Sequence, residues 1–286
     1  MKAMAGHFLC IIILIAAVLS IVVTPVFADT SSEIALSWVQ KGDDYFQREK
    51  FNESLEAYET AVAYDPYNTL SWNKLGLARI ALSDFDGGIR AFKRSIALDP
   101  FYSAPWNNLG DAFYQIGDYP AAIEAYNGAL AINSNDLYAL VHKGINLQKM
   151  GQSDQAVGVY EDVILIAERE VRKHPNDAKF DAGLWTNKGH ALFQLGRYDE
   201  AYESYEIALK INPKYDPALE GMERVEAVVI ELNGTLAEGD ERYTVVGDSA
   251  EPTSTPFHGI VGTFSALIAA VLMVRAKKKK GAPPSS

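Results

Sequence analysis

Residues Ser103–Asp136 read SAPWNNLGDAFYQIGDYPAAIEAYNGALAINSND. Two apolar runs of helical period lie on either side of Gly117-Asp118-Tyr119, which is turn chemistry, so the stretch predicts a helix hairpin. The same pattern recurs along the chain. Gly42, Gly76, Gly110 and Gly144 are each 34 residues apart, and Gly189 follows after 45. Four residues ahead of these glycines stand Trp38, Trp72, Trp106, Leu140 and Trp185, which uses every tryptophan in the protein. Twelve residues behind them come Ser54, Gly88, Ala122, Ala156 and Ala201, and sixteen behind come Tyr58, Phe92, Tyr126, Tyr160 and Tyr205. Three further on are Ala61, Ser95, Ala129, Val163 and Ala208, while Asp65-Pro66, Asp99-Pro100 and Asn212-Pro213 close three of the units. One hairpin cannot bury both of its faces, so such units must stack on their neighbours.

With this combination of large, small and turn residues, the unit Ser103–Asp136 resembles the tetratricopeptide repeat nearly end to end, and the resemblance covers about residues 35 to 230. It implies an all-α fold: a right-handed helical-hairpin solenoid of five repeats at 35–68, 69–102, 103–136, 137–181 and 182–215. A lead-in at 29–34 precedes them, and a capping helix at 216–231 follows. For that helix the sequence puts Leu219, Met222, Val225 and Val229 on one face and Glu220, Glu223 and Glu226 on the other. The eleven extra residues before Gly189 fall where helical periodicity persists from Val157 to Lys173, so the second helix of the fourth repeat is expected to run about two turns long. That extension reads equally as a functional feature, a lip on the groove or a kink in the superhelix, or as a neutral surface insertion.

The ends set an expected topology. Residues 1–28 carry Lys2, then an aliphatic run from Phe8 to Val23, then small residues at Val26 and Ala28, the pattern of a secretory signal peptide. An uncleaved anchor is the alternative, and both send the repeats outward. Residues 258–276 form an apolar span just long enough for one transmembrane helix, and Arg275 with Lys277–Lys280 favours a cytoplasmic tail at 277–286. Pro256-Phe257 ahead of that span also weakly resembles a surface-protein sorting signal, in which the span is cut away. Residues 232–257 are polar and acidic, read as a flexible stalk, and Asn233-Gly234-Thr235 fits a glycosylation acceptor. The expected localisation is a single-pass membrane protein with extracytoplasmic repeats.

Charge follows the same division. The 286 residues carry 26 basic and 37 acidic side chains, a net charge of −11, which excludes the electrostatic footprint of a nucleic-acid binder. Residues 29–257 alone carry about −17. The single cysteine, Cys10, lies within the expected signal, leaving no thiol chemistry or disulfide in the exported part.

No catalytic or metal motif emerges. The histidines do not share ligand spacing, and Asp84-Phe85-Asp86-Gly87-Gly88 fails as a calcium loop because Ile89 occupies the required glycine. The reading is therefore of a non-enzymatic protein without cofactor, acting through binding. The resemblance implies that first helices line a concave groove, which places Asn73, Asn107, Asn108, Asp111, Tyr114, Gln115, His142, Gln148, Asn187, His190 and Phe193 there. The amides would pair with peptide groups, and Tyr114 and Phe193 would supply apolar contact. The positions that hold a terminal carboxylate in chaperone-tail clamps of this family are here Val39, Asp43, Ala104 and Asn108, so that specialisation is not expected. Few cations fall on the groove, so a neutral or basic protein partner is favoured. Two roles fit: a scaffold or assembly factor, or an accessory subunit recruiting a cell-surface transferase or protease.

Overall fold

A computed structural model describes residues 30–175 and 181–239. These form eleven helices and no strand. They are α1 (30–47), α2 (Phe51–Tyr64), α3 (Thr69–Ala81), α4 (Phe85–Leu98), α5 (Ser103–Gln115), α6 (Tyr119–Ile132), α7 (Leu137–Lys149), α8 (Ser153–Lys173), α9 (Ala182–Gln194), α10 (Tyr198–Ile211) and α11 (Asp216–Gly239). They divide between two compact units whose sequence boundary lies at Ala139 and Leu140. In the first unit α2 packs on α3, α3 on α4 and α5, α4 on α5, and α5 on α6. In the second α8 packs on α9, α9 on α10 and α11, and α10 on α11. Within each unit, consecutive hairpins among these elements thus pack on one another, as stacked repeats require.

Each hairpin turn needs one residue in the left-handed region, seven positions after the repeat glycine. Gly117, Gly151 and Gly196 supply it with φ of 81°, 75° and 73°. In the first two repeats the same place is held by Glu49 and Ser83, with φ of 58° and 64°, at a steric cost on the order of 1 kcal/mol each. The next residue then starts the second helix: Asp84 accepts from Gly87 N at 2.9 Å, and Asp118 from Ala121 N at 3.2 Å. Asp84, at the head of the failed calcium-loop pattern, is a helix cap.

The core repeats with the sequence. A Cβ at Gly42, Gly110, Gly144 or Gly189 would stand 2.5 to 2.6 Å from the ring of Tyr58, Tyr126, Tyr160 or Tyr205, and one at Gly76 would strike Phe92. The second-helix aromatic therefore lies flat against the bare glycine of the first helix, and all five rings are at most 1% exposed. The small residues Ser54, Ala122, Ala156 and Ala201 are equally buried where the two helices cross, and Ser54 donates to Gly42 O at 3.0 Å. Trp72 and Trp106 donate through Nε1 to Pro66 O and Pro100 O, tying each first helix to the loop before it.

Two expectations shift. α11 does not stop at 231 but continues to Gly239, so the first eight residues assigned to a flexible stalk, Asn233 among them, are helical. Leu232 and Leu236 continue in sequence the apolar spacing of Val225 and Val229 through the start of the stretch read as a polar stalk. On α11 the buried face is Ala218, Gly221, Val225 and Val229, whereas Leu219 is exposed. α8 has 21 residues against 14 in α2, α4, α6 and α10, about two turns more. The expected signal peptide, transmembrane helix and basic tail lie outside the described residues, among which no helix is long and apolar enough to cross a membrane.

Gly110→Ala must displace the Tyr126 ring and is expected to lower stability by about 1–3 kcal/mol in denaturant unfolding. Gly158→Ala in α8 meets nothing within 4 Å and is expected to be neutral or to stabilise by up to about 1 kcal/mol through helix propensity.

Candidate partner-binding face

The packing of glycine against aromatic fixes what the next residue of the first helix does. One position after the glycine stand Asp43, Leu77, Asp111, Ile145 and His190. The Tyr58 hydroxyl donates to Asp43 Oδ1 at 2.6 Å, and the Tyr126 hydroxyl donates to Asp111 Oδ1 at 2.7 Å. Tyr205 Oη lies 2.8 Å from His190 Nδ1. Where the aromatic is Phe92 and has no hydroxyl, the position holds Leu77; where it is Ile145, the Tyr160 hydroxyl turns instead to Gln148 Oε1 at 3.4 Å. Burial is the main cause that suppresses ionisation of all four tyrosine hydroxyls and pushes their pKa above the usual phenol value, with Asp43 and Asp111 adding to it at Tyr58 and Tyr126. They remain neutral donors.

Several residues expected to meet a ligand are thus committed within the fold. In the first unit Asn73 is 3% exposed and accepts from Asn108 Nδ2 at 2.8 Å, a bond from α5 back to α3. Asn107 donates to Asp136 Oδ2 at 3.0 Å, while its buried Oδ1 has no donor. Asp111 accepts from Tyr138 as well as Tyr126, both at 2.7 Å. Tyr114 is half-buried, its ring 6.0 Å from that of Tyr119, and Gln115 is exposed. The structure therefore corrects the picture of Asn73 and Asn108 as free amides: they bind each other.

In the second unit His142 and Asn187 are half-buried and Gln148 is exposed. Asn187 has no hydrogen-bond partner among the described residues, unlike the amides of the first unit. Phe193 stacks edge-on with Tyr198 at 5.5 Å and carries the Arg224 guanidinium 4.6 Å from its ring centre. Burial, with the charges of His142 and Arg224 behind it, pushes the His190 imidazole down to about 4. The neutral ring accepts a hydrogen bond from the Tyr205 hydroxyl at Nδ1 when its own hydrogen is on Nε2.

The sequence reading missed a pocket. Asp43, Phe46 and Gln47 of α1, Tyr58 of α2, and Lys74 and Leu77 of α3 enclose about 160 Å³. Asp43 and Lys74, both lining it, pair at 2.9 Å, so its charges are matched, and Phe46 and Leu77 supply its apolar wall. Phe46 was detectable by register, since it stands four residues after Gly42 as Tyr114 does after Gly110 and Phe193 after Gly189. These three aromatics share a second feature: each meets the ring that opens its own second helix, Phe51 at 5.2 Å in the case of Phe46. Among the described residues no cluster of three or more His, Cys, Asp or Glu is placed to hold a metal ion.

The buried histidine carries a pH dependence. Unfolded His190 takes a proton below about 6.5, whereas the folded ring resists until about 4, so its stabilisation is complete above 6.5 and is lost as pH falls through that window. The wild type is expected to lose about 2 kcal/mol more than His190→Gln between pH 7 and pH 5, measured by denaturant unfolding at both values.

Comparison with known proteins agrees with this architecture. Tetratricopeptide repeat family models match residues 73–136, 138–165 and 182–215, and a TPR repeat model matches 42–83, together more than half of the sequence. A TPR repeat-containing protein of Methanocaldococcus jannaschii is 37% identical over 62 residues, 22% of this chain but only 10% of that relative's length. The crystal structure of TTC0263, a thermophilic TPR protein of Thermus thermophilus, superposes with a TM-score of 0.53 at 16% identity, covering 68% of this chain and 99% of the other. The APC/C hetero-tetramer Cut9–Hcn1 gives 0.51 at 19% identity over 72% of this chain and 40% of that one. Hairpins built on the glycine–aromatic contact, and matched by these repeat models over more than half of the sequence, make this chain a member of the tetratricopeptide repeat family.

Proposed function

We propose that the protein is a scaffold or assembly factor that binds other proteins or peptides along its first-helix face. The reading rests above all on the pocket between α1 and α3. Its Phe46 and Leu77 walls suit an aliphatic or aromatic side chain, and the Gln47 amide at its edge suits a peptide group beside it. Asp43 and Lys74 neutralise one another there, and Asp111 adds an acidic group on α5, so the first unit favours a neutral or basic segment. In the same proposal the protein is held at a membrane through residues 258–276 with its repeats on the extracytoplasmic side. The sequence pattern of 1–28 and the basic cluster at 275–280 support that placement.

Gln47 is exposed, so Gln47→Trp fills the pocket without opening the core. Intact cells are treated with a membrane-impermeant crosslinker and the full chain is then captured. The wild type is expected to bring down crosslinked proteins, and Gln47→Trp to reduce the same proteins by about tenfold or more. Equal capture by both overturns the pocket as binding site. The absence of any crosslink to the wild type overturns the outward placement of the repeats.

A further inference from the structure

The long helix α8 lies within the second unit and buries Ala156, Tyr160, Val163, Ile164 and Ala167 on one face. Its other face has an order of its own. Asp154, Gly158, Glu161, Leu165, Glu168 and Arg172 follow one another in alternating steps of four and three, the spacing of a seam that meets a second helix. Leu165, at the middle of this seam, is 58% exposed. A Cβ at Gly158 would meet nothing within 4 Å, so no packing within the chain calls for a glycine there.

Charge divides at Leu165. The exposed carboxylates Asp154 and Glu161 precede it on the seam, with Asp162 beside them, and Arg169 and Arg172 follow it. Arg197, the basic group whose charge reaches Glu161, is already bonded to both oxygens of Glu200. Glu168 is bonded to Lys188 of α9 at 3.2 Å and reaches Arg172 only at 3.8 Å. The basic half exists because α8 is long: a helix of 14 residues, as in the other repeats, would end at Ile166.

Such a face matches itself when reversed. About a two-fold axis at Leu165, position 172 of one copy comes level with position 158 of the other. Arg172 then meets the bare backbone of Gly158, with Asp154 and Glu161 one turn away on either side of it. Arg169 comes level with Glu161 and Asp162 in the same way. The geometry points to a second copy of this chain as the occupant: α8 pairs antiparallel with α8 of the second copy, leucine on leucine at the axis and Arg172 against Asp154 and Glu161. This contact is isologous and closes at a dimer. It is independent of the first-helix face. One helix wide, it belongs with weak interfaces of less than about 1,200 Å², so it is best trapped covalently.

The test uses the full chain in nonionic detergent with Cys10→Ser, which leaves no other cysteine. Under mild oxidation Leu165→Cys is expected to give a disulfide-linked dimer. Val157→Cys, also exposed but displaced from its copy by about 24 Å along the helix axis, is expected to give about tenfold less. In the Leu165→Cys chain, Asp154→Lys with Glu161→Lys sets base against base, and Arg172→Glu sets acid against acid. Each variant alone is expected to lose the crosslink about tenfold or more, and an equimolar mixture of the two to regain it as a mixed dimer. Equal crosslinking through positions 157 and 165, insensitivity to both charge reversals, or a mixture that stays uncrosslinked overturns the inference.

Discussion

An aromatic ring lying on a glycine is the contact from which the rest follows. Side chains of consecutive helices normally hold their backbones 8–10 Å apart, roughly, with the distance set by what fills the contact. Here the first helix offers a bare backbone at Gly42, Gly76, Gly110, Gly144 and Gly189, and the second helix seats a ring on it. The contact is shape-specific, because a single added carbon at the glycine collides with the ring. Repeating it five times fixes the register of each hairpin, and burying the ring edge leaves polar atoms that must be satisfied nearby. In the last repeat the Tyr205 ring also meets Gly221 of α11, so the closing helix uses the same device.

The second layer is the pairing of the ring with the residue after the glycine. Four of the five aromatics carry a hydroxyl, and a buried hydroxyl without a partner costs about 1–3 kcal/mol. Asp43, Asp111 and His190 answer that need one residue beyond the glycine, Gln148 answers it a turn later, and Phe92 with Leu77 removes it on both sides. The first-helix face is thereby partly spent on holding the fold. What the fold leaves uncommitted in the first unit is the pocket bounded by Phe46 and Leu77.

How far the sequence could be read depends on whether a feature is local or relational. The hairpins, their turns and the glycine-to-aromatic spacing are periodic in one dimension, and the structure places them as the spacing implies. The site is relational. Asn73 and Asn108 looked like two ligand-facing amides because the resemblance puts first helices along a groove. Their offset of 35 residues, one more than the repeat, instead lets them meet across α3 and α5. Asp111 and His190 were read as facing a ligand, whereas tyrosine partners reach them from another helix. Phe46 and Lys74 lie in registers already used elsewhere in the array, yet the pocket they share exists only once α1 and α3 are side by side. At the C-terminal end, the polar composition of 232–257 suggested a stalk, whereas the helix continues to Gly239.

The central claim is that the ring on the glycine and the residue after the glycine act as one unit. The last repeat tests it most directly, through a double-mutant cycle of His190→Leu and Tyr205→Phe followed by denaturant unfolding at pH 7. His190→Leu strands the buried Tyr205 hydroxyl, and the double variant recreates the hydroxyl-free pairing of Leu77 with Phe92. The account predicts a coupling of about 1–2 kcal/mol, with the double variant more stable than His190→Leu alone. Strict additivity of the two single changes would contradict it.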